Sequence, residues 1–234
     1  MPEEEQISLF DWHEPETALE AVPATHADIS SNSQTPIPKG FYKNLEELTA
    51  HCQQCQRCDL APSRTHVVVS RGNPQAPILI IGEGPGQHED ETGLPFVGRA
   101  GQLLDKILAS VKLNVQQDTY ICNIVKCRPP GNRTPTPEES AACTPYLLEQ
   151  IRLVNPKIIL LTGATAVRGL TGEKRGITKI RGQWLTWQTY LCMPIFHPAY
   201  LLRNPSPEPG KPKWLMWQDI QAVRAKLDEL LSSA

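Results

Sequence analysis

Residues 78–101 read ILIIGEGPGQHEDETGLPFVGRAG, and the order of chemistries within them sets the fold. Residues 78–81 are four consecutive aliphatic residues, three of them β-branched, as in a strand buried on both faces. The run stops at Gly82-Glu83-Gly84-Pro85-Gly86, where three glycines permit positive φ and let a ligand come close to the backbone. Glu89, Asp90 and Glu91 follow, then a lone aromatic, Phe96, between Pro95 and Val97. Leu103, Leu104, Ile107, Leu108 and Val111 then recur at helical spacing. Strand, glycine turn, acidic loop, aromatic and amphipathic helix are the parts of a βα unit with a pocket at the strand's carboxyl end, where α/β folds keep their sites.

The alternation continues on both sides of this unit. Residues 119–125 (TYICNIV) read as a second strand, Thr136-Pro137-Glu138-Glu139 caps a helix running to about residue 154, and residues 157–161 read as a third strand ending at Thr162-Gly163. Residues 163–170 fit a short helix, 174–182 a basic loop, 184–187 an edge strand and 190–196 a fourth core strand. A final helix covers residues 214–230, and Asn44 caps a short helix over 45–58. This rhythm predicts a mainly parallel sheet covered by helices on both faces.

At 234 residues and 40% hydrophobic content, the chain can bury one full core. Its charge is uneven. Residues 1–40 carry eight acids against the single base Lys39, so a formal net charge of −2 leaves residues 41–234 with five positive charges in excess. That excess suits a polyanionic partner. Pro, Ser, Thr, Glu and Gln dominate residues 1–40 without sustained apolar periodicity, which predicts a disordered acidic tail ahead of a folded domain over 41–234. No run reaches the roughly 18 apolar residues of a spanning helix, and the opening MPEEEQ is acidic where a secretory signal is basic. The expectation is a monomer of the cytoplasm, with no membrane contact.

Seven cysteines, an odd number in a chain of this kind, fit metal or cluster ligation better than a disulfide framework. Cys52, Cys55 and Cys58 form C-x2-C-x2-C but lack the following Cys-Pro of a ferredoxin run, so a pair from this triplet would join two thiolates from elsewhere. Cys127 and Cys143 are the candidates, because they flank the proline-rich loop 128–135, whereas Cys122 and Cys192 fall inside apolar strands. Four such thiolates suit zinc or a [4Fe–4S] cluster.

Two polar residues stand out by position. Asn123 falls within the second apolar strand, and His197 follows the fourth strand, before Pro198. With the glycine turn and Phe96 they converge from three strand ends. The chain has no Walker lysine, no G-x-S-x-G elbow, no second histidine beside His197 for a metal and no spaced acid after a G-x-G-x-x-G, which argues against kinase, hydrolase and dinucleotide readings.

Together, residues 82–86 (GEGPG), 93–101 (GLPFVGRAG), 123–130 (NIVKCRPP) and 197–202 (HPAYLL) resemble the iron–sulfur, family four uracil-DNA glycosylases over roughly residues 45–230. The resemblance implies a three-layer α/β/α sandwich around a mainly parallel four-stranded sheet. It implies that the chain flips uracil out of single- or double-stranded DNA and hydrolyses the N-glycosidic bond, leaving an abasic site, in base excision repair. It also implies a [4Fe–4S] cluster on Cys55, Cys58, Cys127 and Cys143, with Cys52 a bystander. Gly84 stands where many relatives carry alanine. The inserted basic segment of relatives that capture uracil covalently is missing between Cys127 and Cys143, so turnover is expected.

On this reading Phe96 stacks on the flipped base, Asn123 reads N3–H and O4, and Gly84 and Gly86 bring backbone N–H groups near it. His197 donates to O2 as negative charge develops there, while Glu83, or Glu89 as a weaker candidate, positions water or stabilises the cationic sugar. Arg203, Lys211 and Lys213 are assigned to phosphates, with Lys174, Arg175, Lys179 and Arg181 as further candidates. Gln6-Ile7-Ser8-Leu9-Phe10 resembles the Gln-Leu-x-Leu-Phe peptides that dock bacterial repair proteins on the replication sliding clamp, with Gln6, Leu9 and Phe10 as its contacts. A rival reading makes the chain a non-catalytic nucleic-acid-binding module stapled by a four-cysteine zinc site. Excision of uracil separates the two.

Overall fold

A computed structural model describes Ile29 and residues 31–233. The peptide at residues 6–10 lies outside the described residues. In chain order the elements begin with α1 (Leu45–Gln53), β1 (Arg71–Gly72), β2 (Ile78–Gly82), α2 (Gln87–Thr92), α3 (Arg99–Ser110), α4 (Val115–Asp118) and β3 (Thr119–Asn123). A 3-10 turn at Pro130–Asn132 precedes α5 (Pro137–Val154), β4 (Ile158–Thr162), α6 (Ala164–Thr171) and α7 (Ile177–Ile180). The chain finishes with β5 (Leu185–Trp187), β6 (Tyr190–Ile195), α8 (Pro198–Arg203) and α9 (Pro212–Ser232).

The sheet has the order β1-β3-β2-β4-β6-β5. The four expected strands form its middle and are all parallel, while β1 and β5 add antiparallel edges. Edge strand β5 matches the expectation at 184–187, whereas β1 is two residues long and carries no pattern to read. Every residue of β2, β3 and β4 is buried, and the pleat sends alternate side chains to opposite faces. Leu79, Ile81, Ile159 and Leu161 meet α5 and α6 through Leu147, Ile151 and Val167. Ile78, Ile80, Ile158 and Leu160 meet α3 and α9 through Leu104, Leu108, Ile220 and Val223. These two cores are the interfaces of a three-layer α/β/α sandwich.

Several boundaries differ from the sequence reading. β3 ends at Asn123, so this residue lies at the strand's carboxyl end and not in its middle. Ile124 and Val125 instead donate their N–H groups to the carbonyls of Gly82 and Glu83, extending the pairing as a loop. α1 ends at Gln53, leaving Cys55 and Cys58 in the loop beyond it. The acidic loop is largely the helix α2, and the proline-rich stretch after His197 opens with α8.

The expected tail also extends too far. Its last part, residue 29 and residues 31–40, packs on the domain: Ile29 is fully buried, and the buried Arg57 guanidinium donates to the carbonyls of Ile29, Asn32, Ser33 and Thr35. A tail read from composition alone misses this, because the bonds go to backbone carbonyls that any sequence would offer.

Candidate active site and cysteine cavity

The crossovers leave β2 over one face of the sheet and β3 over the other, which opens a crevice at their carboxyl ends. A cavity of about 510 Å³ lies there, lined by Glu83, Gly84, Gly86, Phe96, Asn123, His197 and Arg203 among others. The site residues expected in the pocket and Arg203 thus come together. Lys211 and Lys213 do not line the cavity; they stand at the N-terminal end of α9.

The glycines act differently from expectation. None of Gly82, Gly84 or Gly86 has positive φ. They are needed for room: a Cβ on Gly82 would press on the Phe96 ring at 2.6 Å and on the Asn123 amide, and one on Gly84 would meet Val125 at 2.7 Å. The left-handed backbone occurs instead at Phe96, with φ 55°, a strained conformation for a bulky residue. Its surroundings hold it there. Arg71 donates to the carbonyls of Pro95 (2.8 Å) and Phe96 (3.1 Å) and pairs with Asp105 at 2.6 Å. Glu89 accepts from the N–H groups of Gly86, Val97 and Gly98 at 3.1, 2.9 and 2.8 Å. A Cβ on Gly101 would overlap the Phe96 carbonyl. Glu89 is therefore committed to shaping the Phe96 turn, which corrects its assignment as a second water-positioning group. Arg71 and Gly101 escaped sequence reading, since a two-residue strand and a glycine inside a helix give no warning of what they touch.

The Phe96 ring is buried and stacks near His197, with ring centroids 5.8 Å apart and planes 29° from parallel. Asn123 is 2% exposed, and among the described residues its side-chain amide has no protein partner. His197 caps α8, its Nδ1 accepting from the Ala199 N–H at 3.1 Å. Nδ1 being the acceptor, the ring proton sits on Nε2. Burial pushes the His197 pKa down to about 4, helped by the Arg203 charge and opposed by Glu89. The imidazole is thus a neutral donor near pH 7. Glu83 accepts a hydrogen bond from the Thr165 hydroxyl on α6, which orients one carboxylate oxygen and leaves the other to the cavity. Arg133 also lines the cavity, paired with Glu139 at 2.6 Å.

Of the further basic candidates, Arg181 is not free to bind phosphate. It pairs with buried Asp219, donates to the Leu215 carbonyl and lies 5.8 Å from the centroid of the Phe196 ring, so it pins α9 to the sheet. Arg175 is tied to Glu173 at 2.7 Å.

A second cavity lies behind the first. Cys52, Cys55, Cys58, Cys127 and Cys143 line it, as do three cations, Arg57, Arg64 and Lys126, and no carboxylate. Cys122 and Cys192 are in β3 and β6, inside the core. Cys143 accepts from the Lys126 N–H at 3.3 Å, and Arg64 approaches Cys127 Sγ at 3.6 Å. Burial pushes the Cys127 thiol up to about 11 and the Cys143 thiol to about 12, with nearby cations opposing it. Among the described residues no three His, Cys, Asp or Glu side chains are grouped tightly enough for a single metal ion.

Residues 69–221 match the family model described as the Uracil DNA glycosylase superfamily. A Type-4 uracil-DNA glycosylase of Thermotoga maritima is 50% identical over 183 residues, which cover 77% of this chain and 93% of that protein. The Type-4 enzyme of Saccharolobus solfataricus is 39% identical over 170 residues, covering 69% and 79% of the two chains. That of Archaeoglobus fulgidus is 37% identical over 171 residues, covering 70% and 85%.

Proposed function

Since the chain belongs to the uracil-DNA glycosylase superfamily, we propose that the cavity at the strand ends receives a uracil flipped out of DNA and that Asn123, Phe96 and His197 carry its excision. The chain is a uracil-DNA glycosylase: it hydrolyses the bond between uracil and deoxyribose and leaves an abasic site. The observation that carries the site assignment is the convergence of an uncommitted Asn123 amide and the Nε2–H of a neutral His197 on one cavity beside the Phe96 ring.

Phe96 offers the stacking face. The Asn123 carbonyl oxygen accepts from uracil N3–H while its NH2 donates to O4, a pattern that cytosine reverses. As the glycosidic bond breaks, the electron pair moves onto the base, and Nε2–H of His197 stabilises the charge at O2, an interaction that strengthens in the transition state. Glu83, held by Thr165, stabilises the cationic sugar and orients the attacking water with its free oxygen. Arg203 at the cavity rim binds phosphate. Lys211 and Lys213 do the same at the start of α9, where the macrodipole disfavours cations until an anion arrives.

The cysteine cavity fits the [4Fe–4S] cluster that the family resemblance implies. A zinc ion, with Zn–S near 2.3 Å, needs its thiolates within roughly 4 Å of one another, and no such group is present among the described residues. Five cysteines and three cations, with no carboxylate, make a donor set suited to an anionic iron–sulfur guest. Cys55, Cys58, Cys127 and Cys143 would hold it, while Cys52 belongs to the apolar cluster of Tyr42, Leu48, Val69 and Tyr146. The cluster's contribution is to tie together the loops that carry these cysteines.

Single-turnover excision from a uracil-containing oligonucleotide tests the site. His197→Ala is expected to lower the rate by roughly a hundredfold, and Asn123→Asp to weaken uracil excision and admit cytosine. Rates unchanged in both variants would falsify the site. The peptide Gln6–Phe10 is proposed to dock the enzyme on the sliding clamp by Leu9 and Phe10, with Gln6 at the groove's rim. Equal clamp binding by the full chain and a Leu9→Ala, Phe10→Ala variant would exclude it.

A further inference from the structure

Lys126 is 1% exposed, and it is among the largest fully buried side chains of the protein. A buried ammonium is costly unless it is paired and hydrogen bonded. Among the described residues Lys126 makes no salt bridge; its Nζ donates to the main-chain carbonyl of Asn123 at 2.6 Å. A neutral carbonyl alone does not offset burial of a full charge. Lys126 also lines the cysteine cavity, and its own backbone N–H donates to Cys143 Sγ at 3.3 Å, so the anionic group within its reach would be a cluster held on those cysteines.

At its other end Lys126 holds the turn that presents the pocket's reading group. Residues 123–126 run from the carboxyl end of β3 into the cysteine loop, with Asn123 lining the uracil cavity and Val125 and Lys126 lining the cysteine cavity. The Ile124 and Val125 N–H groups fix one side of the turn to Gly82 and Glu83. The Asn123 carbonyl points the other way and is bound by Nζ. The Asn123 side chain itself makes no protein hydrogen bond, so its direction is set by packing against Gly82 and by this anchored backbone.

We propose that Lys126 is a positioning residue for uracil recognition: its buried ammonium, stabilised on one side by the anionic cluster that the cysteines would hold, fixes the Asn123 carbonyl on the other and thereby aims the Asn123 amide at the base. Occupancy of the cysteine cavity is then communicated to the pocket through one side chain. The inference rests on the cluster and pocket assignments above. It gives the cluster an electrostatic role in a hydrolytic enzyme without requiring electron transfer.

Lys126→Met keeps the length and removes the charge and the donor. In the purified full-length holoprotein three quantities are read: the reduction potential of the cluster, inhibition by free uracil, and affinity for an abasic-site duplex. The methionine protein should remain brown, its potential should shift to more negative values because a nearby positive charge is gone, and the inhibition constant of free uracil should rise by about tenfold or more, as for loss of a charged hydrogen bond. Affinity for the abasic duplex, which has no base for Asn123 to read, should be unchanged. A brown variant with unaltered potential or unaltered uracil inhibition overturns the proposal, as does equal weakening of uracil and abasic DNA. Should the methionine protein be colourless, Lys126→Arg decides: brown with wild-type uracil inhibition supports the assignment, and a colourless protein or one with weakened inhibition overturns it. A colourless wild-type protein would instead refute the cluster, and a brown wild-type protein unable to excise uracil would refute the pocket, so the three readings fail separately.

Discussion

At the scale of single residues, the protein uses strain and desolvation where the sequence suggested only glycine flexibility. Phe96 is held in a left-handed conformation by Arg71, Glu89 and the bare Cα of Gly101, so its ring is fixed in the cavity wall before any ligand arrives. His197 is kept neutral in the same way, by burial first and by Arg203 second, with its pKa near 4 against an ordinary 6.5. The sign follows from linkage. As pH falls, the unfolded chain takes up this proton before the folded one, so the stability contributed by neutral His197 is complete above about pH 6.5 and gone below about pH 4. Its donor state is constant over the same upper range. Single-turnover excision is therefore expected to show no ionisation of His197 between pH 8 and about 5. An acid limb near 6.5 that is present in the wild type and missing from His197→Ala would contradict this.

At the scale of elements, the cysteine loop after α1 is fastened by Arg57, which stands between Cys55 and Cys58. Its Nε donates to the Ala142 carbonyl on α5, next to Cys143, while its Nη atoms hold the carbonyls of Ile29, Asn32, Ser33 and Thr35. One guanidinium thus joins the incoming chain, the first cysteine pair and the helix bearing the last cysteine. A second latch lies on the same helix. Glu149 accepts from the Gly40 and Tyr42 N–H groups at 2.9 and 3.3 Å and pairs with Arg152, and against its burial these partners hold its carboxyl below the usual range. Arg57→Ala leaves the buried carbonyls of Ile29 and Ala142 unpaired and is expected to cost about 2–4 kcal/mol. Amide hydrogen exchange should quicken over residues 31–42 and around Cys55 while the central strands stay protected. Unchanged exchange in residues 31–42 would show that the segment is held by its apolar contacts instead.

At the scale of the whole molecule, the cysteine cavity ties the loop after α1 to the loop after β3 and to α5, segments nearly ninety residues apart in sequence at their extremes. Cys143→Ala is expected to bleach the protein and lower its melting temperature, since three thiolates leave an iron open. Cys52→Ala should keep its colour and lose only about 1 kcal/mol from a small buried void. Colour retained without Cys143 and lost without Cys52 would reverse the ligand assignment. The sequence by itself determined the layers and the four parallel strands, and it singled out Phe96, Asn123, His197 and a set of cysteines that the fold gathers at two cavities, because aliphatic runs, caps and spaced motifs are local signals written in residue type. Only the tertiary structure decided what aims them. The strained Phe96, the committed Glu89, the docking of residues 31–40 and the buried Lys126 all depend on hydrogen bonds to backbone groups or on the absence of a Cβ. Main-chain carbonyls and N–H groups are the same at nearly every position, so such partners leave no trace in residue type until folding brings them within reach.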